Sequence, residues 1–146
     1  MLEQFRDYYR TESSGVYALY LDDNGIIDVF GEENAKKISQ KMTNRLLYIG
    51  KATHLSDRIE NKHLKRARVS TLRRTLASLL NMEFIPVSGK KGLTQENEKI
   101  ITDWLLKNTS FKILETPTVA EAEKIEAELI KQYQPPLNKE GCEEHF

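Results

Sequence analysis

Thr118 to Asn138, TVAEAEKIEAELIKQYQPPLN, reads as one capped amphipathic helix followed by the turn that ends it. Thr118 precedes Glu121 by three residues, the spacing of a capping box, and Pro135 and Pro136 stop the helix soon after Tyr133. At about 100° per residue, Val119, Ala122, Leu129, Ile130 and Tyr133 all fall within roughly 60° of Glu126. A carboxylate therefore sits at the centre of the apolar stripe, while Glu121, Lys124, Glu128 and Lys131 point away and Glu123 lies at the margin. Burying a carboxylate without a partner is costly, so Glu126 must meet a cation, a metal or hydrogen-bond donors. A structural ion pair to Arg or Lys is the simplest reading of this helix taken alone.

Outward from this helix, the chain alternates short apolar runs with helical patterns. Residues 2–10 are compatible with a short helix. Gly15–Leu21, GVYALYL, is rich in β-formers and halts at Asp22, Asp23, Asn24 and Gly25, so Ile26–Phe30 is expected to return as its hairpin partner. An amphipathic helix is expected over Gly31–Thr43, a buried strand over Leu46–Gly50, and a helix over Thr53–His63 with Leu55 and Ile59 inward and Arg58 at their edge. Ser70 or Thr71 can cap a helix with a Leu72, Leu76, Leu79, Leu80 stripe, from which Arg73 and Arg74 point partly away. A short strand broken by Pro86 is expected over Met82–Val87 and a loop over Ser88–Gly92. Thr94–Lys107 is expected as a helix with Ile100, Ile101, Trp104 and Leu105 inward, and Phe111–Leu114 as a strand. This order predicts one α+β domain over residues 1–146, with a small, mainly antiparallel three-stranded sheet flanked by helices.

Composition excludes several classes. With 39% hydrophobic and 30% charged residues, the chain is expected to be globular and cytoplasmic: it has no apolar run of membrane-spanning length, and MLEQFRDYYR has no apolar signal core. Cys142 is the single cysteine, which removes a disulfide framework and a cysteine-based zinc site. Acidic and basic residues balance at 22 each, yet Lys51 to Thr75 holds eight Lys or Arg against Asp57 and Glu60. Such clustering is the footprint of a phosphate-binding face or of a solvated helix surface.

Three separated pieces belong together: Gly15-Val16-Tyr17; Tyr48-Ile49-Gly50-Lys51 with Arg58 on the next helix; and Glu126 with Asn138. This ordered set resembles the GIY-YIG endonuclease family, which includes the incision domain of the bacterial excision-repair nuclease and several restriction and homing endonucleases. YIGKATHLSDRI is similar to the family's second strand and arginine helix, and EAELIKQYQPPLN to its acidic helix and terminal asparagine. Compared with the family's compact core, residues of about 22–45 and 64–110 look like insertions, and 139–146 is a polar tail.

The resemblance implies a metal-dependent hydrolysis of DNA phosphodiesters, with RNA not excluded. Tyr17 would activate water and Glu126 would hold one Mg²⁺ or Mn²⁺, a cation that needs only one or two protein carboxylates. The planar fork of Arg58 matches phosphate oxygens. Tyr48 and His63 would assist at the phosphate or in moving a proton, and Asn138 would fix the local backbone and the metal-bound water. A phenol with a pKa of about 10 is a poor base at neutral pH, so Lys51 or the metal is expected to lower that of Tyr17. Lys62, Lys65, Arg66, Arg68, Arg73 and Arg74 are expected to track the nucleic-acid backbone. The alternative is a non-catalytic or partner-activated nucleic-acid-binding module of the same fold, and a third possibility is a structural protein with a Glu126–Arg58 ion pair.

Overall fold

The computed structural model describes residues 1–64 and 70–138, with the backbone alone at Lys62. The strands among these residues are Arg6–Asp7 (β1), Gly15–Leu21 (β2), Leu46–Ala52 (β3), Ile85–Val87 (β4), Lys90–Gly92 (β5) and Thr109–Glu115 (β6). The α-helices are Glu32–Lys41 (α1), Thr71–Leu79 (α2), Gln95–Asn108 (α3) and Val119–Tyr133 (α4), and Asp57–His63 forms a π-helix. The α+β class is as expected, but the central antiparallel sheet has four strands, in the order β1-β6-β2-β3, rather than three. The extra strand is two exposed residues, Arg6 and Asp7, paired with Ile113 and Lys112; so short a polar edge carries no alternation to read. None of the helices among the described residues is long and apolar enough to cross a membrane.

Both faces of the sheet are covered, which is why β2 and β3 read as nearly continuous apolar runs. Val16, Ala18, Leu46 and Ile49 pack under Ala122, Leu129 and Ile130 of α4. Tyr17, Leu19, Leu21 and Tyr48 face the opposite way, into a core with Leu55, Ile59, Leu72 and Leu76. The β2–β3 register steps over Leu47, so Leu47 and Tyr48 both join this second core.

Two expectations about connections are corrected. Ile26–Phe30 is not the partner of β2, both of whose edges are taken by β3 and β6. It contains a 3₁₀ turn, Asp28–Phe30, held by burial of Ile27 and Phe30 and by Trp104 Nε1 donating to the Ile26 carbonyl at 3.0 Å. Ser88–Gly92 is not wholly loop, because Lys90–Gly92 returns as β5 through Ser88 (φ 50°) and Gly89 (φ 80°), the positive-φ pair favoured in tight hairpins. In α3 the inward stripe is Ile101, Trp104, Leu105 and Asn108; Ile100 lies roughly 90° from its centre and is exposed.

α4 begins as expected, with Thr118 Oγ1 accepting from the Glu121 amide at 3.2 Å. It ends with Gln134 in the left-handed region (φ 45°), and Pro135-Pro136 then turn the chain onto the outer edge of β3. There the Leu137 amide donates to the Leu47 carbonyl at 3.0 Å. Asn138, buried, closes the edge: its Oδ1 accepts from the Ile49 amide at 2.9 Å and its Nδ2 donates to the Ile49 carbonyl at 2.7 Å.

Candidate active site

Tyr17 and Gly50 stand opposite each other across β2 and β3, and the tyrosine ring fills the space a facing side chain would need. A Cβ on Gly50 would come within 2.2 Å of the Tyr17 hydroxyl oxygen, so the glycine is what lets this ring lie flat over the sheet. Gly15 is similarly constrained, since a Cβ there would meet the Leu114 carbonyl oxygen at 2.4 Å. The Tyr48 ring lies alongside Tyr17 with centroids 6.2 Å apart.

Arg58 and His63 both come from the π-helix, and its geometry explains how they share a site. Residues five apart on an α-helix point about 140° away from each other. Bonding to the fifth preceding carbonyl, as the Leu64 amide does to Ile59 at 3.2 Å, widens the turn and brings such residues towards one face. The π-helix is anchored by Leu55 and Ile59 in the core and by Tyr8, whose hydroxyl donates to the Glu60 carboxylate and lies 2.8 Å from Ser56 Oγ, from which it accepts.

His63 is fully buried, with Nε2 2.5 Å from the Tyr17 hydroxyl and Nδ1 2.5 Å from Ser70 Oγ. Burial, aided by the Arg58 and Arg73 cations, pushes the His63 pKa down to about 3, so the imidazole is neutral at physiological pH. Burial pushes the Tyr17 phenol up to about 12; the Arg58 guanidinium opposes this and the Glu126 carboxylate adds to it. Tyr48 is raised well above the ordinary phenol value, again by burial first, with Tyr17 and Glu126 adding to it and Arg58 opposing. Burial disfavours the Arg58 charge, but the Tyr17 and Tyr48 oxygens outweigh it and hold its pKa above the usual arginine value. Arg58 is half-buried, and its buried Nε has no hydrogen-bond partner among the described residues.

Glu126 lies on the α4 stripe between Ala122 and Leu129, as the periodicity predicts, but half-buried rather than buried. Its electrostatic influence on both Tyr17 and Tyr48 places its charge beside the two phenols. No cluster of three or more His, Cys, Asp and Glu side chains suited to a metal occurs among the described residues. A single carboxylate fits a hard cation that keeps most of its waters, and does not fit a zinc-type site built from several protein ligands.

Lys51 points to the α4 side, where its Nζ pairs with Glu123 Oε1 at 2.9 Å in an exposed ion pair. Arg58, not Lys51, is the cation that opposes the rise in the Tyr17 pKa. Lys51, Thr53, His54, Asp57, Arg58 and Glu123 line a crevice of about 420 Å³, large enough to admit part of a nucleotide beside the guanidinium.

The expected backbone-tracking residues divide. Lys65, Arg66, Arg68 and the Lys62 side chain lie outside the described residues. Arg74 is partly exposed, with its guanidinium 5.7 Å from the centre of the Phe84 ring and donating to the Lys91 carbonyl at 3.1 Å. Arg73 corrects the surface expectation, because its side chain is fully buried. It donates to the His63 carbonyl at 2.9 Å, Thr102 Oγ1 at 3.0 Å and Glu98 Oε1 at 2.9 Å, bolting the end of the π-helix to α2 and α3. Residues four apart around it, Leu72 and Leu76, made it look peripheral; the covering α3 could not be read from α2 alone. Ser70 was legible as a helix cap and not as a neighbour of His63.

A family model described as the GIY-YIG catalytic domain matches residues 15–145. No curated protein and no solved structure matches the chain.

Proposed function

The chain belongs to the GIY-YIG family of nuclease catalytic domains, and from that membership we propose that it is an endonuclease hydrolysing DNA phosphodiesters with one Mg²⁺ or Mn²⁺. The observation that carries the reading is the convergence on Tyr17 of a neutral His63 at 2.5 Å, the Arg58 cation with an unpartnered buried Nε, and the Glu126 charge. The structural Arg73 also has an unpartnered Nε; what sets Arg58 apart is that its half-buried charge lies beside two phenols and lines the crevice.

In this reading Arg58 donates to a non-bridging oxygen of the scissile phosphate, satisfying Nε and stabilising the charge that grows there. With a pKa of about 12, Tyr17 is almost wholly protonated in the resting site. It therefore acts as a relay: its oxygen accepts a proton from the attacking water as its own proton passes to His63 Nε2. Burial holds His63 neutral first of all, and the phosphate charge entering beside Arg58 offsets one of the two cations that add to it, which eases that transfer when substrate is present. Tyr48 positions the Tyr17 ring. Glu126 would hold the divalent ion, which when bound supplies positive charge for the phosphate and the departing oxygen.

The partner-activated alternative is favoured by one observation: equal numbers of acidic and basic residues leave no overall field to steer DNA to the site. Incubating the protein alone with supercoiled plasmid separates the two readings. Nicking in Mn²⁺ or Mg²⁺, abolished by chelator and in a folded Glu126→Gln variant, supports the endonuclease. Activity indifferent to chelator and to Glu126→Gln contradicts it, and nicking only after a partner is added supports the module.

A further inference from the structure

Ser70 lies in the stretch of about 64–110 that looks like an insertion in the sequence, and it reaches into the site. Its hydroxyl oxygen is the N-cap of α2, accepting from the Arg73 amide at 3.2 Å, and it also lies 2.5 Å from His63 Nδ1. The same helix fixes the His63 backbone through the Arg73 guanidinium, 2.9 Å from the His63 carbonyl oxygen. The residue is itself buried, as is the imidazole it touches.

A serine hydroxyl has two lone pairs and one proton. As the α2 cap, Ser70 spends one lone pair on the Arg73 amide, which leaves its second lone pair able to accept from His63 Nδ1, or its one proton able to be donated there. A neutral imidazole carries its proton on one nitrogen only, and the hydrogen bond made by the other nitrogen decides which. If Nδ1 carries the proton and gives it to Ser70, Nε2 is left as a bare acceptor facing the Tyr17 hydroxyl. The reverse tautomer would point an N–H at Tyr17 and leave no acceptor for its proton. We propose that Ser70, at the cap of α2, is a positioning residue that holds His63 as the Nδ1–H tautomer so that Nε2 can accept the proton of Tyr17. This refines the proposed nuclease mechanism and rests on it only where turnover is measured.

The direct test is the His63 tautomer, read from its imidazole ¹⁵N shifts by NMR at neutral pH, with no DNA present. Wild type is expected as Nδ1–H, and a population that is mainly Nε2–H would overturn the proposal. Three variants separate positioning from capping. Ser70→Thr keeps the hydroxyl and the cap, and is expected to keep both the tautomer and the nicking rate. Ser70→Gly removes the hydroxyl while glycine remains an acceptable helix cap. It is expected to redistribute the tautomer and lower single-turnover nicking at least about tenfold, with DNA affinity unchanged. Ser70→Ala adds the loss of the cap and should match Ser70→Gly in rate while melting lower. If Ser70→Gly retains the wild-type tautomer and rate, the hydroxyl is only a cap and the inference fails. If wild type shows no nicking yet the Nδ1–H tautomer depends on Ser70 as described, the nuclease reading fails and the positioning role stands.

Discussion

Replacing Asn138 by Ala tests how the fold presents the site, because this one side chain closes the outer edge of β3 next to Tyr48 and Gly50. The change removes both hydrogen bonds to Ile49, at 2.9 and 2.7 Å, inside a buried environment. Each abandoned backbone group costs about 1–3 kcal/mol, so the pair sets an expected loss of roughly 2–6 kcal/mol. At roughly 4 °C per kcal/mol for a domain of this size, Tm should fall by at least about 8 °C. Asn138→Asp is informative because it is isosteric: Oδ1 can still accept from the Ile49 amide, but a carboxylate oxygen now faces the Ile49 carbonyl. It should destabilise at least as much as Ala at neutral pH. Urea unfolding gives the free energy, and hydrogen exchange at the Ile49 amide reports the edge directly, with protection expected to drop in both variants. A loss below about 1 kcal/mol for Asn138→Ala, with Ile49 still protected, would refute the assignment.

Gly50→Ala should push the Tyr17 ring off the sheet, costing about 1–3 kcal/mol in urea unfolding and abolishing nicking; an active, equally stable variant would contradict the 2.2 Å contact. Arg73→Ala should cost about 3–5 kcal/mol because it strips a buried network, while leaving the salt dependence of DNA binding unchanged; a flatter salt slope would return Arg73 to the surface. The folded His63 pKa of about 3 lies below its ordinary 6.5, so the unfolded chain takes up the proton first: the contribution is intact above pH 6.5 and declines as pH falls towards 3. At about 1.4 kcal/mol for each pH unit, His63 accounts for roughly 2 kcal/mol of stability lost between pH 6.5 and 5, a loss that unfolding of His63→Gln should lack.

Local signals carried the parts of the fold that depend on them. The Thr118 cap, the α4 stripe and the prolines that end it were readable because each is a short-range rule, and the family motif tied β2, β3 and α4 into one site. The π-helix was not readable, since a helical pattern over Thr53–His63 does not reveal that its hydrogen bonds skip to the fifth residue. That step alone places His63 beside Arg58. Arg73 was misplaced for a related reason: the pattern of α2 is amphipathic by itself, and only the tertiary contact with α3 buries the guanidinium against Glu98 and Thr102. β1 escaped notice because its two residues pair with β6 through backbone alone. The rise in the Tyr17 pKa was also inaccessible, since burial rather than the neighbouring cations dominates it.

In the proposed mechanism Tyr17 is the group that takes the proton of the attacking water. Single-turnover nicking of supercoiled plasmid at saturating protein, in Mn²⁺ and from pH 6 to 9, compares wild type with Tyr17→Phe, which keeps the ring and removes the hydroxyl. Tyr17→Phe should lower the rate by about 10²–10⁴ with DNA affinity retained. Equal rates for the two proteins across that pH range would contradict that role.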